Sequence, residues 1–382
     1  MWPMNHYELA SWLRLLLTPG IGRGTARKLL TAFGMPATVL EQPSAALAKL
    51  VSATQLNALL AEPTDFASQL ETTWAWLSAD PQMRRVLPLG DPLYPQRLLD
   101  TEDPPLLLYA VGRPEAWSQN LLNTGSKPWL AVVGSRNPTP QGVVNARQFA
   151  SALAGSGITI VSGMALGVDG AAHEGALEGA APDGLATVAV VGTGLDRVYP
   201  KQHRELAHRI AQHGVILSEF ALGTGPLAPN FPQRNRIISG LSQGTLVVEA
   251  ALQSGSLITA RQAVEQGREV FAIPGSIHAT QSRGCHALIK EGAKLVESAQ
   301  DVLDELKLES STTASTPPEP ETQEDADSPL LQALGFDACG LDALQARTGL
   351  PTPALLAELM TLELQGLVAR LPGGLYQRHM QA

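Results

Sequence analysis

The sequence predicts an α/β protein: a doubly wound, Rossmann-like parallel sheet, an N-terminal all-helical domain of helix-hairpin-helix/SAM-like type and a C-terminal winged helix. Three observations carry this. From Trp129 onward, short β-branched runs alternate with amphipathic helical patterns, the signature of a parallel sheet covered on both faces. Residues 7–80 carry helical patterns only. Residues 329–380 read as helix–turn–helix followed by two short strands. At 382 residues, 44% of them hydrophobic, the chain has room for two or three packed domains.

In residues 1–80, Pro19-Gly20-Ile21-Gly22 falls between two helical patterns, as in a helix-hairpin-helix turn. Closely spaced glycines there either expose N–H groups to a DNA phosphate, with Arg23, Arg27 and Lys28 adding charge, or only make a tight αα turn. Trp74, Trp76 and Leu77 read as core. Residues 81–128 are a proline-rich connector packed on the next domain, with Leu106–Val111 as an edge strand.

Residues 129–307 form the Rossmann-like domain. Its expected strands are Leu130–Val133, Ile158–Ser162, Ala186–Val191, Val215–Ser218, Thr245–Val248 and Val270–Ile273. Helical patterns lie between them, at Val143–Ala154, Ala171–Gly179, His203–His213, Arg234–Leu241, Leu257–Gln266 and Cys285–Glu291. Such a sheet binds ligands beyond the C-terminal ends of its strands. Residues 308–328 are acidic and poor in large apolar side chains, so they read as a disordered linker. Residues 329–382 form the winged helix. Its candidate recognition helix, Ala354–Gly366, holds Glu358 and Glu363 and no Lys or Arg, which favours a protein contact, or modulation of the core, over a major groove.

The net charge is −9, on its face an argument against nucleic acid, yet six of the excess carboxylates fall within residues 308–327. The folded parts are near neutral, so a local basic groove is open to them. Two cysteines make no disulfide framework and fit a reducing compartment. There is no basic, apolar leader at the N-terminus and no run long enough to span a membrane, so a cytoplasmic location without membrane attachment is expected.

The strand ends hold the chemistry. Gly134-Ser135-Arg136, Ser162-Gly163 and Gly192-Thr193-Gly194 follow three strands, and Lys201 follows a Tyr199-Pro200 turn. Arg234, Asn235 and Arg236 open the helix before another strand, and Ser254-Gly255-Ser256 precedes the next helix. Small residues let backbone N–H groups approach an anion, and guanidiniums suit phosphate. Neither a P-loop nor a GxGxxG occurs, so no nucleotide cofactor is expected. Gly240-Leu241-Ser242-Gln243-Gly244 matches GxSxG but follows a helix instead of a strand, which argues against a nucleophile. His203, His208 and His213 scatter around a helix, and His278, Cys285 and His286 lack a further ligand, so no metal is expected. Asp169 and His173 read as a helix cap more than an acid–base pair. Tyr199 and Phe231 fit either a core or a base platform.

Taken together, GSRNPT, SGMALGVDGAAHEGAL, VAVVGTGLDRVYPKQHREL, the run from SEFALG through AIPG, and GCHALIKEGA closely resemble the DNA-processing protein A family (DprA/Smf), over Trp129–Ala293. The resemblance implies a non-enzymatic cytoplasmic protein that binds and protects single-stranded DNA. It also implies loading of the RecA recombinase in natural transformation, and a homodimer formed through the Rossmann-like domain. The family's strand-binding residues match Gly134, Ser135, Arg136, Ser162, Gly163, Lys201, Arg234, Asn235 and Arg236 here. His203 departs from the family, where asparagine is frequent. Backbone contact should dominate, with little base preference. The competing enzyme class is a nucleotide phosphoribohydrolase, whose PGGxGTxxE is matched only loosely by Gly244, Thr245 and Glu249.

Overall fold

The computed structural model describes residues 4–123, 128–306, 328–335, 338–371 and 373–378. The acidic stretch expected as a linker, apart from Ser328, and Pro372 of the expected wing turn lie outside the described residues.

Six helices come first: α1 (His6–Leu17), α2 (Arg23–Phe33), α3 (Pro36–Leu40), α4 (Ser44–Leu47), α5 (Ala53–Leu60) and α6 (Phe66–Ala79). Capping boxes at Asn5 and Ser52 start α1 and α5. The α1–α2 turn needs glycine at Gly20, where φ is +77°. Its core gathers Leu9, Trp12, Leu13, Leu29 and Leu47. Trp74, Trp76 and Leu77 are only half-buried against it, since α6 also faces the next domain.

The connector supplies β1 (Arg84–Pro88), β2 (Leu107–Gly112) and the short α7 (Pro114–Ser118). Alternating units come next: β3 (Trp129–Val133), α8 (Pro140–Gly155), β4 (Thr159–Ser162), α9 (Val168–Gly179), β5 (Thr187–Val190), α10 (Arg204–His213) and β6 (Val215–Ser218). The chain continues through α11 (Asn230–Leu241), β7 (Gly244–Val247), α12 (Gly255–Glu265), β8 (Glu269–Ala272), α13 (Arg283–Lys290), β9 (Lys294–Leu295) and α14 (Ala299–Glu305). Among the described residues, nine strands make one sheet in the order β1-β2-β6-β5-β4-β3-β7-β8-β9. All neighbours from β6 to β9 are parallel. β2 pairs antiparallel with β6 and β1 with β2, so the strand expected at the edge is covered by a further one that the sequence pattern did not reveal.

Strands β3 to β7 are buried along their whole length because helices cover both faces. One face packs α8, α9, α10 and α14, the other α11, α12 and α13. Helices α8 and α9 approach unusually closely: a Cβ on Gly175 or Gly179 would sit 2.0 Å from the Arg147 or Ser151 carbonyl oxygen. The winged helix comprises α15 (Pro329–Leu334), β10 (Cys339–Gly340), α16 (Leu341–Thr348), α17 (Thr352–Leu364), β11 (Val368–Leu371) and β12 (Leu375–Arg378). Its strands pair in the order β10-β12-β11, around its own core of Leu330, Leu344, Leu355 and Leu359.

Candidate nucleic-acid interface

Strand order reverses at β3: β4 lies on one side and β7 on the other. The chain leaves β3 for α8 on one face and leaves β7 for α12 on the opposite face, so the loops part. This is the switch point at which open α/β sheets bind ligands. A groove of about 730 Å³ opens there, lined by Gly134, Ser135, Arg136, Asn235 and the Ser254–Ser256 turn.

Arg136 is exposed, and among the described residues no carboxylate pairs with it. Its guanidinium lies 5.3 Å from the centroid of the Phe231 ring. Phe231 is half-buried and packs at 5.9 Å on Tyr199, which is 44% exposed. The two aromatics are therefore a ledge on the groove wall, not core. Opposite them, Ser254 caps α12 by accepting from the Ser256 N–H at 3.3 Å, and nothing lies within 4 Å of the Cβ position of Gly255. The positive end of α12 thus faces open space in the groove.

Arg234 takes a different position. It is 3% exposed and donates from Nη1 to the Val190 carbonyl at 2.5 Å. Its guanidinium covers Gly163, where any Cβ would collide with it. Burial pulls its pKa down to about 10, while the nearby Asp169 carboxylate opposes that shift. Asp169 is itself buried, which raises its pKa, and it accepts the Ala165 N–H at 3.1 Å. Arg234 is thus a fixed positive charge beneath the groove floor.

Arg236, two residues on, points away from the groove. Its guanidinium donates to Glu219 at 2.5 Å and to the Asp103 carbonyl at 2.5 Å. Arg23 and Arg27 of α2 also pair with Asp103, and Arg23 reaches Glu219 at 3.1 Å. This cluster fastens the N-terminal helices to the sheet and occupies two of the three basic side chains of the glycine hairpin; Lys28 is exposed. Ser162 is fully buried and donates to the Val132 carbonyl at 2.6 Å. Lys201 is exposed and lines a separate cleft beyond Tyr199, not this groove. The fold therefore gathers Gly134, Ser135, Arg136 and Asn235 around one groove, with Gly163 and Arg234 beneath it. It does not bring in Ser162, Lys201 or Arg236.

The remaining sequence signals fall into structural roles. Ser242 donates to the Ile238 carbonyl at 2.9 Å at the end of α11, so the GxSxG hydroxyl is a helix terminator. Asp169 lies inside the first turn of α9, not at its cap, which is Gly167 with φ +82°. His173 does not meet it. The Thr187 hydroxyl donates to the Ile160 carbonyl, so it accepts from His173 Nδ1 at 2.7 Å, and burial lowers the imidazole pKa to about 3. His203 Nδ1 donates at 3.0 Å to the carbonyl of Met164, a non-glycine residue with φ +62°. Sequence reasoning misses Glu249 as a structural group: it accepts from the Thr139 N–H and hydroxyl, at 2.9 and 2.5 Å, and closes the start of α8. Its place at the end of a buried strand is the available signal. Among the described residues, no three His, Cys, Asp or Glu side chains group to hold a metal.

The sequence matches the family profile of DNA recombination-mediator protein A over residues 85–307, and the DprA winged helix domain over residues 314–374. Protein Smf of Escherichia coli (strain K12) is 42% identical over 315 residues, covering 80% of this chain and 80% of that one. DNA processing protein DprA of Streptococcus pneumoniae is 46% identical over 217 residues, covering 57% of this chain and 72% of its own. The solved DprA structure from Streptococcus pneumoniae superposes with a TM-score of 0.63 at 36% identity, over 80% of this chain and 99% of that one. DprA from Helicobacter pylori, solved for its single-stranded DNA binding mode, gives a TM-score of 0.50 at 30% identity, over 58% of this chain and 95% of that one. The chain belongs to the DNA recombination-mediator protein A family.

Proposed function

We propose that this chain is a non-enzymatic, cytoplasmic single-stranded DNA-binding protein that protects a strand and loads RecA onto it during transformation, acting as a homodimer through the sheet domain. The observation that carries the reading is Arg136, an exposed guanidinium with no carboxylate partner among the described residues, held over an open groove that the α12 N-terminus also faces. Phosphates need such cations and N–H donors along a track, and little exact chemistry. The Tyr199–Phe231 ledge offers a face to a base of any identity. The DNA binding that gives the Helicobacter pylori relative its description supports the same class of ligand. A phosphoribohydrolase is disfavoured because Glu249, the loose match to the glutamate of that family's motif, is engaged in closing α8.

Binding of labelled poly-dT across a salt series tests the reading, comparing wild type with Arg136→Ala, Arg234→Ala and Arg236→Ala. Arg136→Ala should weaken binding and flatten the log–log salt slope by about 0.7. Arg236→Ala should leave the slope as it is. Wild-type binding by folded Arg136→Ala would move the site elsewhere. RecA loading is tested separately, by strand exchange on DNA pre-coated with a single-strand binding protein.

A further inference from the structure

A second cleft of about 730 Å³ lies on the α10 side of the sheet, between α10 and the end of α6. Its floor is apolar, formed by Val111, Val191, Ala207 and Ile216, and its walls are basic. Lys201 and Arg204 are exposed and have no ion pair among the described residues; His208 stands one turn further along α10. Arg84 donates to the Trp76 carbonyl at 2.8 Å and lies 5.2 Å from the Trp76 ring centroid, keeping its charge at the opposite wall. The single lining carboxylate, Asp196, is taken up by Arg197 at 2.8 Å and by the Gly223 N–H at 2.8 Å. The cleft is therefore cationic at its rim and apolar at its base.

We infer that this cleft receives the continuation of the same DNA strand after it leaves the switch-point groove. The inference rests on the function proposed above. Continuity supports it. A smaller pocket of about 240 Å³ shares Arg136, Phe231 and Arg234 with the groove, and Met164 and Val191 with the cleft. Tyr199 borders all three, half out in solvent. A strand can pass over this ring from the α11 side of the sheet to the α10 side, setting phosphates against Lys201 and Arg204 and a base against the apolar floor. Through Trp76 and Arg84, the helical domain and the connector contribute to the track.

The test is affinity as a function of oligo-dT length for the full chain, comparing wild type, Arg136→Ala, Arg204→Glu and Arg204→Ala. Wild-type affinity should rise with length beyond the shortest strand that fills the groove. Arg204→Glu should bind that shortest strand as wild type does and lose the further gain, about tenfold at the longest strands. Arg204→Ala should lower the salt slope by about 0.7 for long strands only. If Arg204→Glu follows wild type at every length, or weakens all lengths equally, the cleft does not hold the continuing strand. In either case a loss of binding in Arg136→Ala at every length would leave the parent reading standing. An Arg136→Ala protein that binds normally removes that parent reading, and this inference with it.

Discussion

Arg136, Arg234 and Arg236 look alike in sequence, and burial separates them. Arg136 is exposed over the Phe231 ring, Arg234 is enclosed under the groove, and Arg236 is locked between Glu219 and Asp103. Their variants should therefore fail differently. Arg136→Ala should cost DNA affinity with an unchanged urea midpoint. Arg234→Met should cost about 3 kcal/mol of folding stability, because the Val190 carbonyl loses its donor and Asp169 its compensating charge. Tyr199→Ala should weaken DNA binding by about 1–3 kcal/mol if a base stacks on that exposed ring. His173 sets a pH dependence. Its folded pKa of about 3 lies below the ordinary 6.5, so the unfolded chain binds the extra proton between those values. Stability contributed by neutral His173 is complete above about 6.5 and is lost as pH falls toward 3. Urea midpoints across that window should decline in wild type, and less steeply in His173→Gln.

Single elements show how position decides what a residue type does. Helix α2 opens with Arg23 and Arg27, a DNA-contact signature when read alone, yet both side chains reach Asp103. The cluster they form with Arg236 and Glu219 is partly to largely shielded, so removing one partner leaves the rest uncompensated. Asp103→Ala should therefore loosen α2, seen as faster amide exchange there, with short-oligonucleotide binding retained. Helix α17 behaves in the opposite way. It covers most of the candidate recognition helix and carries no Lys or Arg. Leu356, Met360 and Leu364, the last 82% exposed, lie at helical spacing along its outer side. A chain ending after Leu306 should keep its single-strand affinity and salt slope. Loss of binding on that truncation would place DNA on the winged helix.

At the scale of the whole molecule, the alternation of strands and helices and the small-residue loops at strand ends were legible in the sequence. They dictate a covered parallel sheet, because only helices on both faces can bury such uniformly apolar strands. The family resemblance extended the same reading. Pairing partners were not legible: β1 and β2 join the sheet antiparallel beside β6, from a proline-rich stretch whose local pattern carries no information about that distant neighbour. The groove itself was half legible. Gly134, Ser135, Arg136 and Asn235 line it, while Arg236, two residues on from Arg234, is turned away by the helix. Residues two apart on a helix point in directions about 200° apart, so one motif necessarily serves two faces. The sequence by itself determined the fold class, the loops able to meet an anion and the family. Tertiary structure alone decided which cations stay without a carboxylate partner, because carboxylates distant in sequence, Asp103 and Glu219, reach some arginines and leave Arg136 and Lys201 exposed.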